Sequence, residues 1–244
     1  GAFDLAFQNY CHNEALVAED ICLQILEKYP DQPDTLHLVG IISHKMGKLG
    51  QAADLISRAL EIKTKFPEAH NNLGTVFRDL GKLEEAIVCY QEAIFYHPEY
   101  DEAYYNLGNT YGQLADFSKA EESYRKAISL RPNFPEAYYN LGTIFENNFK
   151  LEEAEKYYKQ AIALKPDFAD AYNNLGIVLG DLRKLNESEI CYKKIIALNS
   201  NFAEAYHNLG NNLEQQGKLK NAQMNYEKAI IIFYQSFNIN NFLL

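Results

Sequence analysis

Residues 135–168 read PEAYYNLGTIFENNFKLEEAEKYYKQAIALKPDF, from Pro135 to Phe168, and versions of this stretch recur along most of the chain. Equivalent starts fall at Pro33, Pro67, Asp101, Pro135, Ala169 and Ala203, each 34 residues after the last, with no insertion or deletion. A fixed period of this length marks an array of helix–turn–helix units, each too small to bury its apolar face alone and so dependent on its neighbours. Counting positions from each start, position 8 is glycine in every copy: Gly40, Gly74, Gly108, Gly142, Gly176 and Gly210. Position 7 is leucine except for Val39, position 20 is alanine except for Ser188, and position 27 is alanine except for Ile195. Position 24 is tyrosine except for Ile56.

These residue types have a physical logic. Apolar residues at positions 4, 7, 8 and 11 share one face of a first helix, and positions 20, 24 and 27 share one face of a second. Glycine at 8 and alanine at 20 and 27 let two helix backbones approach, and the ring at 24 fills the space beside them. Pro98, Pro132 and Pro166 at position 32 end the second helix. Asn133, Asp167 and Asn201 at position 33 are expected to cap the next first helix. Position 2 is acidic throughout (Asp34, Glu68, Glu102, Glu136, Asp170, Glu204), which suits the positive end of that helix.

The pattern resembles the tetratricopeptide repeat, and the resemblance covers most of the chain. It implies an all-α fold, a right-handed α-solenoid superhelix of antiparallel helix pairs. In this register residues 1–32 form a partial leading repeat with a clipped first helix. Residues 33–236 hold six consecutive repeats (33–66, 67–100, 101–134, 135–168, 169–202 and 203–236), and 237–244 is an apolar tail. The repeat at 33–66 is weaker, with Ser43, Ile56 and Thr64 at usual aromatic, tyrosine and proline positions. The repeat at 169–202 departs at Arg183, Ser188, Ile195 and Ser200; Ile195 in place of alanine predicts looser packing or a compensating gap. Gly1 and Ala2 without a starting methionine read as the edge of a fragment. The segment IIIFYQSFNINNFLL from Ile230 is apolar where a finished array closes with a polar face. The natural chain is therefore expected to continue past Leu244; otherwise the tail covers the open end or self-associates.

Composition narrows the function classes. The net charge is −10, which argues against nucleic acid, whose binding needs a basic surface. No apolar run approaches the roughly 18 residues that a membrane span needs, and no secretory signal opens the chain. Cys11, Cys22, Cys89 and Cys191 form no CxxC pair and read as small apolar helix residues. A reducing compartment follows, cytoplasmic or nucleocytoplasmic. Asn186-Glu187-Ser188 spells a glycosylation acceptor, silent in such a setting.

No catalytic constellation is expected in these residues, nor a cofactor or metal. The six histidines form no HExxH. The carboxylate pairs Glu84–Glu85 and Glu152–Glu153 recur with the repeat, as a solvated helix face does. The functional signal lies on the first helices, where the family resemblance assigns positions 2, 5, 6, 9, 12 and 13 to a concave face. Position 6 is Asn72, Asn106, Asn140, Asn174 and Asn208 in successive repeats. A carboxamide both donates and accepts, so a row of them matches the N–H and C=O groups of an extended peptide; the competing reading is local packing. Position 5 adds Asn71, Tyr105, Tyr139 and Asn173, between His37 and His207, and position 9 adds Asn109 and Asn211. These eleven Asn and Tyr residues are the candidate peptide-binding set.

Co-chaperone members of the family hold a carboxylate with lysines at positions 5 and 2. This chain lacks them, and its acidic rim favours extended neutral or basic protein segments. The segments FPEAHNNLG, FPEAYYNLG, FADAYNNLG and FAEAYHNLG resemble the repeats of O-linked N-acetylglucosamine transferase and SPINDLY-type fucosyltransferases. That narrower resemblance implies a substrate-docking arm, itself no enzyme, feeding a UDP-sugar-dependent transferase domain outside these residues. The alternative is a stand-alone assembly scaffold or adaptor with no linked enzyme.

Overall fold

The structure is a computed structural model that describes residues 1–241, with side chains to residue 235. Among the described residues it holds fourteen α-helices and no strand. They follow in pairs: α1 (Ala2–Cys11) with α2 (Ala15–Lys28), α3 (Pro33–Lys45) with α4 (Leu49–Ile62), α5 (Pro67–Asp79) with α6 (Leu83–Tyr96), and α7 (Asp101–Gln113) with α8 (Phe117–Leu130). Then come α9 (Pro135–Asn147) with α10 (Leu151–Leu164), α11 (Ala169–Asp181) with α12 (Leu185–Leu198), and α13 (Ala203–Gln215) with α14 (Leu219–Asn241). The fold is an α-solenoid in class. It divides into two compact units, Gly1–Arg131 and Pro132–Leu244.

One backbone device repeats at every hairpin. Position 15 adopts the left-handed conformation at Asn13, Gly47, Gly81, Ala115, Phe149, Arg183 and Gly217, with φ between 57° and 76°. There the chain leaves the first helix in a reversed hydrogen-bond pair; Lys82 N–H, for instance, donates to the Phe77 carbonyl at 2.8 Å and Gly81 N–H to that of Arg78 at 2.9 Å. Glycine suits this turn, whereas Ala115, Phe149 and Arg183 hold it at a cost of about 1–2 kcal/mol each.

Glycine at position 8 has a different purpose. A Cβ at Gly142 would stand 2.7 Å from Cε1 of Tyr158, and Gly74, Gly108, Gly176 and Gly210 meet the rings of Tyr90, Tyr124, Tyr192 and Tyr226 as closely. Even in the weaker repeat, Gly40 faces Ile56 at 2.4 Å. Tyr90 and Tyr158 are wholly buried by this packing. Position 24 thus sits in the cleft between the two helices of its own repeat. Position 20 and position 27 side chains close the remaining space: Ala52, Ala59, Ala86, Ala93, Ala120, Ala127, Ala154 and Ala161 are all fully buried. Ile195 is fully buried too, in a cluster with Tyr192, Ala205, Leu209, Leu213 and Ala222, so the expected loosening is not visible as exposure.

Two expectations about helix ends need correction. The residues preceding α9, α11 and α13 are Phe134, Phe168 and Phe202, and none of these helices has a side-chain cap. Asn133, Asp167 and Asn201 lie one residue too early. Position 34 carries a bulky ring that tucks under the next helix, with Phe66, Phe134 and Phe168 buried, and that packing fixes the entry instead. Proline at 32 is also not what stops the second helix. Helices α4 and α12 end at the same point as the others, although Thr64 and Ser200 stand there. Helix α14 instead runs straight through Tyr234 to Asn241. The side chains of the tail at 237–244 lie outside the described residues.

Candidate functional site

Within each unit the first helices form one side of the stack. Helix α3 touches α1 and α5, α7 touches α5, and α11 touches both α9 and α13. Among the described residues of each unit no second helix makes a comparable contact with the next second helix. The first helices are therefore packed closer together, on the inside of each unit's curve, and positions 5, 6, 9, 12 and 13 ride on that side.

On this face the carboxamides at position 6 make a repeating tie. Asn72, Asn106, Asn174 and Asn208 each donate from Nδ2 to the position-5 side chain of the preceding repeat. Asn106 donates to Asn71 Oδ1 at 3.0 Å, Asn174 to the Tyr139 hydroxyl at 3.2 Å, and Asn208 to Asn173 Oδ1 at 3.1 Å. Asn72 stands 2.9 Å from His37 Nε2. His37 is buried and its ring lies edge-on to Phe66 at 4.7 Å. Burial holds its pKa at about 4, so the imidazole is neutral and accepts from Asn72. Asn140, at the same position 6, is half-buried.

Position 9 makes a second tie, inside four of the repeats. The hydroxyl at position 24 donates to it: Tyr124 to Asn109 Oδ1 at 2.8 Å, Tyr226 to Asn211 Oδ1 at 2.9 Å, Tyr90 to Thr75 at 3.3 Å and Tyr158 to Thr143 at 3.2 Å. The Tyr158 and Tyr226 hydroxyls also lie within hydrogen-bond reach of Glu146 and Glu214 at position 12, so each shares its one proton between two acceptors. Burial raises the Tyr90 and Tyr158 hydroxyls above their ordinary value, so both stay neutral donors.

The expected site residues thus share one side of their units, and most carry a structural duty of the kind the competing packing reading named, with partners in the neighbouring repeat that the sequence did not identify. Asn71 is buried, with its oxygen engaged by Asn106. Asn173 also donates to Glu204 at 3.2 Å. Tyr139 packs against Phe168 at 5.0 Å and Tyr158 at 5.7 Å, and Tyr105 against Tyr124 at 5.9 Å. Asn72, Asn106, Asn174 and Asn208 are half-buried. One N–H of each is held by the preceding repeat, and among the described residues no bond within the chain is seen at the carboxamide oxygen of Asn106, Asn174 or Asn208, which can accept from a ligand. The strict spacing of 35 between the paired positions was the signal available in the sequence.

The acidic rim is partly neutralised in place. Lys63 pairs with Asp34 at 2.9 Å and lies 3.9 Å over the Phe66 ring. Lys165 pairs with Glu136 at 3.3 Å and lies 4.7 Å over Phe168. Among the described residues no three His, Cys, Asp or Glu side chains gather as metal ligands would, and no helix is long and apolar enough to cross a membrane.

Tetratricopeptide-repeat profiles match residues 74–114, 101–134, 135–168, 157–189 and 203–232, together more than half of the chain. The chain belongs to the tetratricopeptide-repeat family. This repeat protein is similar to several solved structures. MamA is 28% identical over 68% of this chain and 97% of its own, with a TM-score of 0.65. YrrB, described as a TPR protein with an unusual peptide-binding site, is 22% identical over 74% of this chain and 93% of its own, also at 0.65. PilF of Pseudomonas aeruginosa is 17% identical over 82% of this chain and 90% of its own, at 0.74. No curated protein matches the chain. These likenesses support a protein-interaction module and give no support to the narrower resemblance to glycosyltransferase docking arms.

Proposed function

We propose that this repeat protein is a scaffold that binds extended segments of partner proteins along the first-helix face. The observation that carries the reading is the fixed row at position 6. Asn106, Asn174 and Asn208 are each locked by a hydrogen bond to the preceding repeat. A locked carboxamide loses little freedom when it binds, so its oxygen is a pre-organised acceptor for a backbone N–H. Within each unit such acceptors, one repeat apart at Asn72 and Asn106 and at Asn174 and Asn208, suit a chain gripped by its backbone rather than read at each side chain. The net charge of −10 favours neutral or basic segments over acidic ones.

The reading stays with a protein-interaction scaffold, which the likeness to MamA and YrrB supports, rather than with a glycosyltransferase docking arm, which it does not. The test is an array of short extended peptides probed with the parent protein and with Asn106→Ala/Asn140→Ala/Asn174→Ala. The Asn106 and Asn174 replacements each remove an inter-repeat bond worth about 0.5–1.5 kcal/mol, so circular dichroism must first show the variant folded. Loss of binding to many sequences alike supports the reading. Undiminished binding places the ligand elsewhere and defeats it.

A further inference from the structure

Position 34 is an aromatic ring in five repeats: Phe66, Tyr100, Phe134, Phe168 and Phe202. Two of them show how the ring is housed. Phe66 lies 4.7 Å from the ring of His37 at position 5 and 3.9 Å under Lys63 at position 31, which pairs with Asp34 at position 2. Phe168 lies 5.0 Å from Tyr139, also at position 5, and 4.7 Å under Lys165, which pairs with Glu136. It shares a cluster with Ala161 and Ile162 at positions 27 and 28. Positions 2, 5, 27 and 28 thus build a socket for the ring that follows their own second helix. The base at position 31 bridges that ring to the acid.

The last repeat builds the same socket and has no ring at position 34. That position is Ser236, and α14 runs through it to Asn241, whereas α4, α6, α8, α10 and α12 all end at position 30. An open cavity of ≈610 Å³ results, lined by Ala203, Glu204, His207, Ala229, Ile230 and Phe233 among others. These are positions 1, 2, 5, 27, 28 and 31, and the size lies in the range of ligand sites, roughly 300–1,000 Å³. The two histidines at position 5 make the comparison direct. His37, beside Phe66, is 8% exposed, while His207 is open to solvent. Ile230 and Phe233 are 55% and 64% exposed, so the apolar wall is uncovered. Glu204 also lacks the lysine that pairs with Asp34 and Glu136, since Phe233 stands at position 31. It accepts instead from the neutral Asn173 Nδ2 at 3.2 Å.

We propose that this socket is a docking site for an aromatic side chain of a partner protein, a phenylalanine or tyrosine with a lysine or arginine close by in sequence. The ring packs on Ala229, Ile230 and His207 as Phe66 packs on His37, and the base meets Glu204 as Lys63 meets Asp34. The chain's own segment Lys63-Thr64-Lys65-Phe66 has this chemistry, and the net charge of −10 attracts a basic segment. The socket shares no residue with the asparagine row at position 6, so either site can fail without the other.

The probe is the peptide KTKFPEA, a copy of residues 63–69, labelled with fluorescein and titrated with the full chain by anisotropy. A companion peptide carries Phe66→Ala. Protein variants are Ile230→Asp and Glu204→Gln, both at exposed positions where the fold tolerates the change. Binding should weaken about tenfold or more for the Phe66→Ala peptide and for Ile230→Asp. Glu204→Gln should weaken it about two- to fivefold. Amide NMR should place the peptide's shifts at His207, Ile230 and Phe233. Equal binding of the two peptides, or no binding of either, overturns the proposal, as do shifts that leave these three residues unmoved. Light scattering covers the other occupant. A parent that is dimeric and becomes monomeric as Ile230→Asp has its socket filled by a second copy, which also overturns the partner reading. Shifts at the socket with the position-6 row unmoved support the socket.

Discussion

Replacing Gly142 by alanine tests why glycine stands at position 8. The new Cβ would lie 2.7 and 2.8 Å from Cε1 and Cδ1 of Tyr158. Restoring an ordinary contact of 3.4 Å requires ring and helix to separate by about 0.7 Å. The ring cannot swing aside, because it is wholly buried and its hydroxyl is held by Thr143 and Glu146. Overpacking of this kind costs up to about 3 kcal/mol, and alanine's better helix propensity returns about 1 kcal/mol, leaving a net loss of about 2 kcal/mol. Gly112 in α7 is the internal control, since a Cβ there meets only the Tyr124 hydroxyl at 3.9 Å. Gly112→Ala should therefore gain about 0.5–1 kcal/mol. Urea unfolding followed by circular dichroism reads both, and the order of midpoints should be Gly112→Ala above parent above Gly142→Ala. In a Tyr158→Ala background the Gly142→Ala penalty should vanish. If Gly142→Ala matched Gly112→Ala, close helix approach would not be what glycine provides, and the packing argument would fail.

Other consequences follow from the same geometry. His37, held at about 4 by burial against an ordinary 6.5, binds its proton more weakly folded than unfolded. Its contribution is whole above pH 6.5 and is lost as pH falls from there towards 4, about 3 kcal/mol by the size of the shift. Urea midpoints across that window should fall more steeply for the parent than for His37→Asn. Phe149 is 89% exposed and sits at φ 57°, so Phe149→Gly should raise stability by about 1 kcal/mol, where an ordinary exposed phenylalanine in a turn would give no gain. Cys11 is exposed, while burial pushes the Cys22, Cys89 and Cys191 thiols up to about 11 to 12. Native maleimide labelling read by mass spectrometry should therefore modify Cys11 first, and fast labelling of Cys89 or Cys191 would contradict their packing. Glu189 is held at about 2 by hydrogen bonds from Lys193, with Lys218 and Gln216 adding to it. Its contribution, full above the ordinary carboxylate range, should fade as pH drops from there towards 2, and Glu189→Gln should flatten that part of the acid-unfolding curve.

The helix pairs were legible because their residues sit at fixed positions for steric reasons that spacing alone exposes. Glycine at 8 and tyrosine at 24 had to be partners, and the structure puts a ring where each glycine lacks a Cβ. Helix ends were less legible. Local capping rules pointed to Asn133, Asp167 and Asn201, yet burial of Phe134 and its equivalents decides the boundary, and burial belongs to the stack rather than to the segment. The candidate face was legible as a row but not as a network. Asn106 and Asn71 are 35 apart, and nothing local says that one donates to the other.

The central claim is that ligands lie along the first helices. Its most direct test is amide NMR of the full chain with a Ser/Thr-rich extended peptide, mapping which residues shift. The account predicts shifts at Asn72, Asn106, Asn140, Asn174 and Asn208 on α5, α7, α9, α11 and α13. Shifts confined to second helices, or to the exposed apolar residues Ile230, Phe233 and Tyr234 of α14, would contradict it.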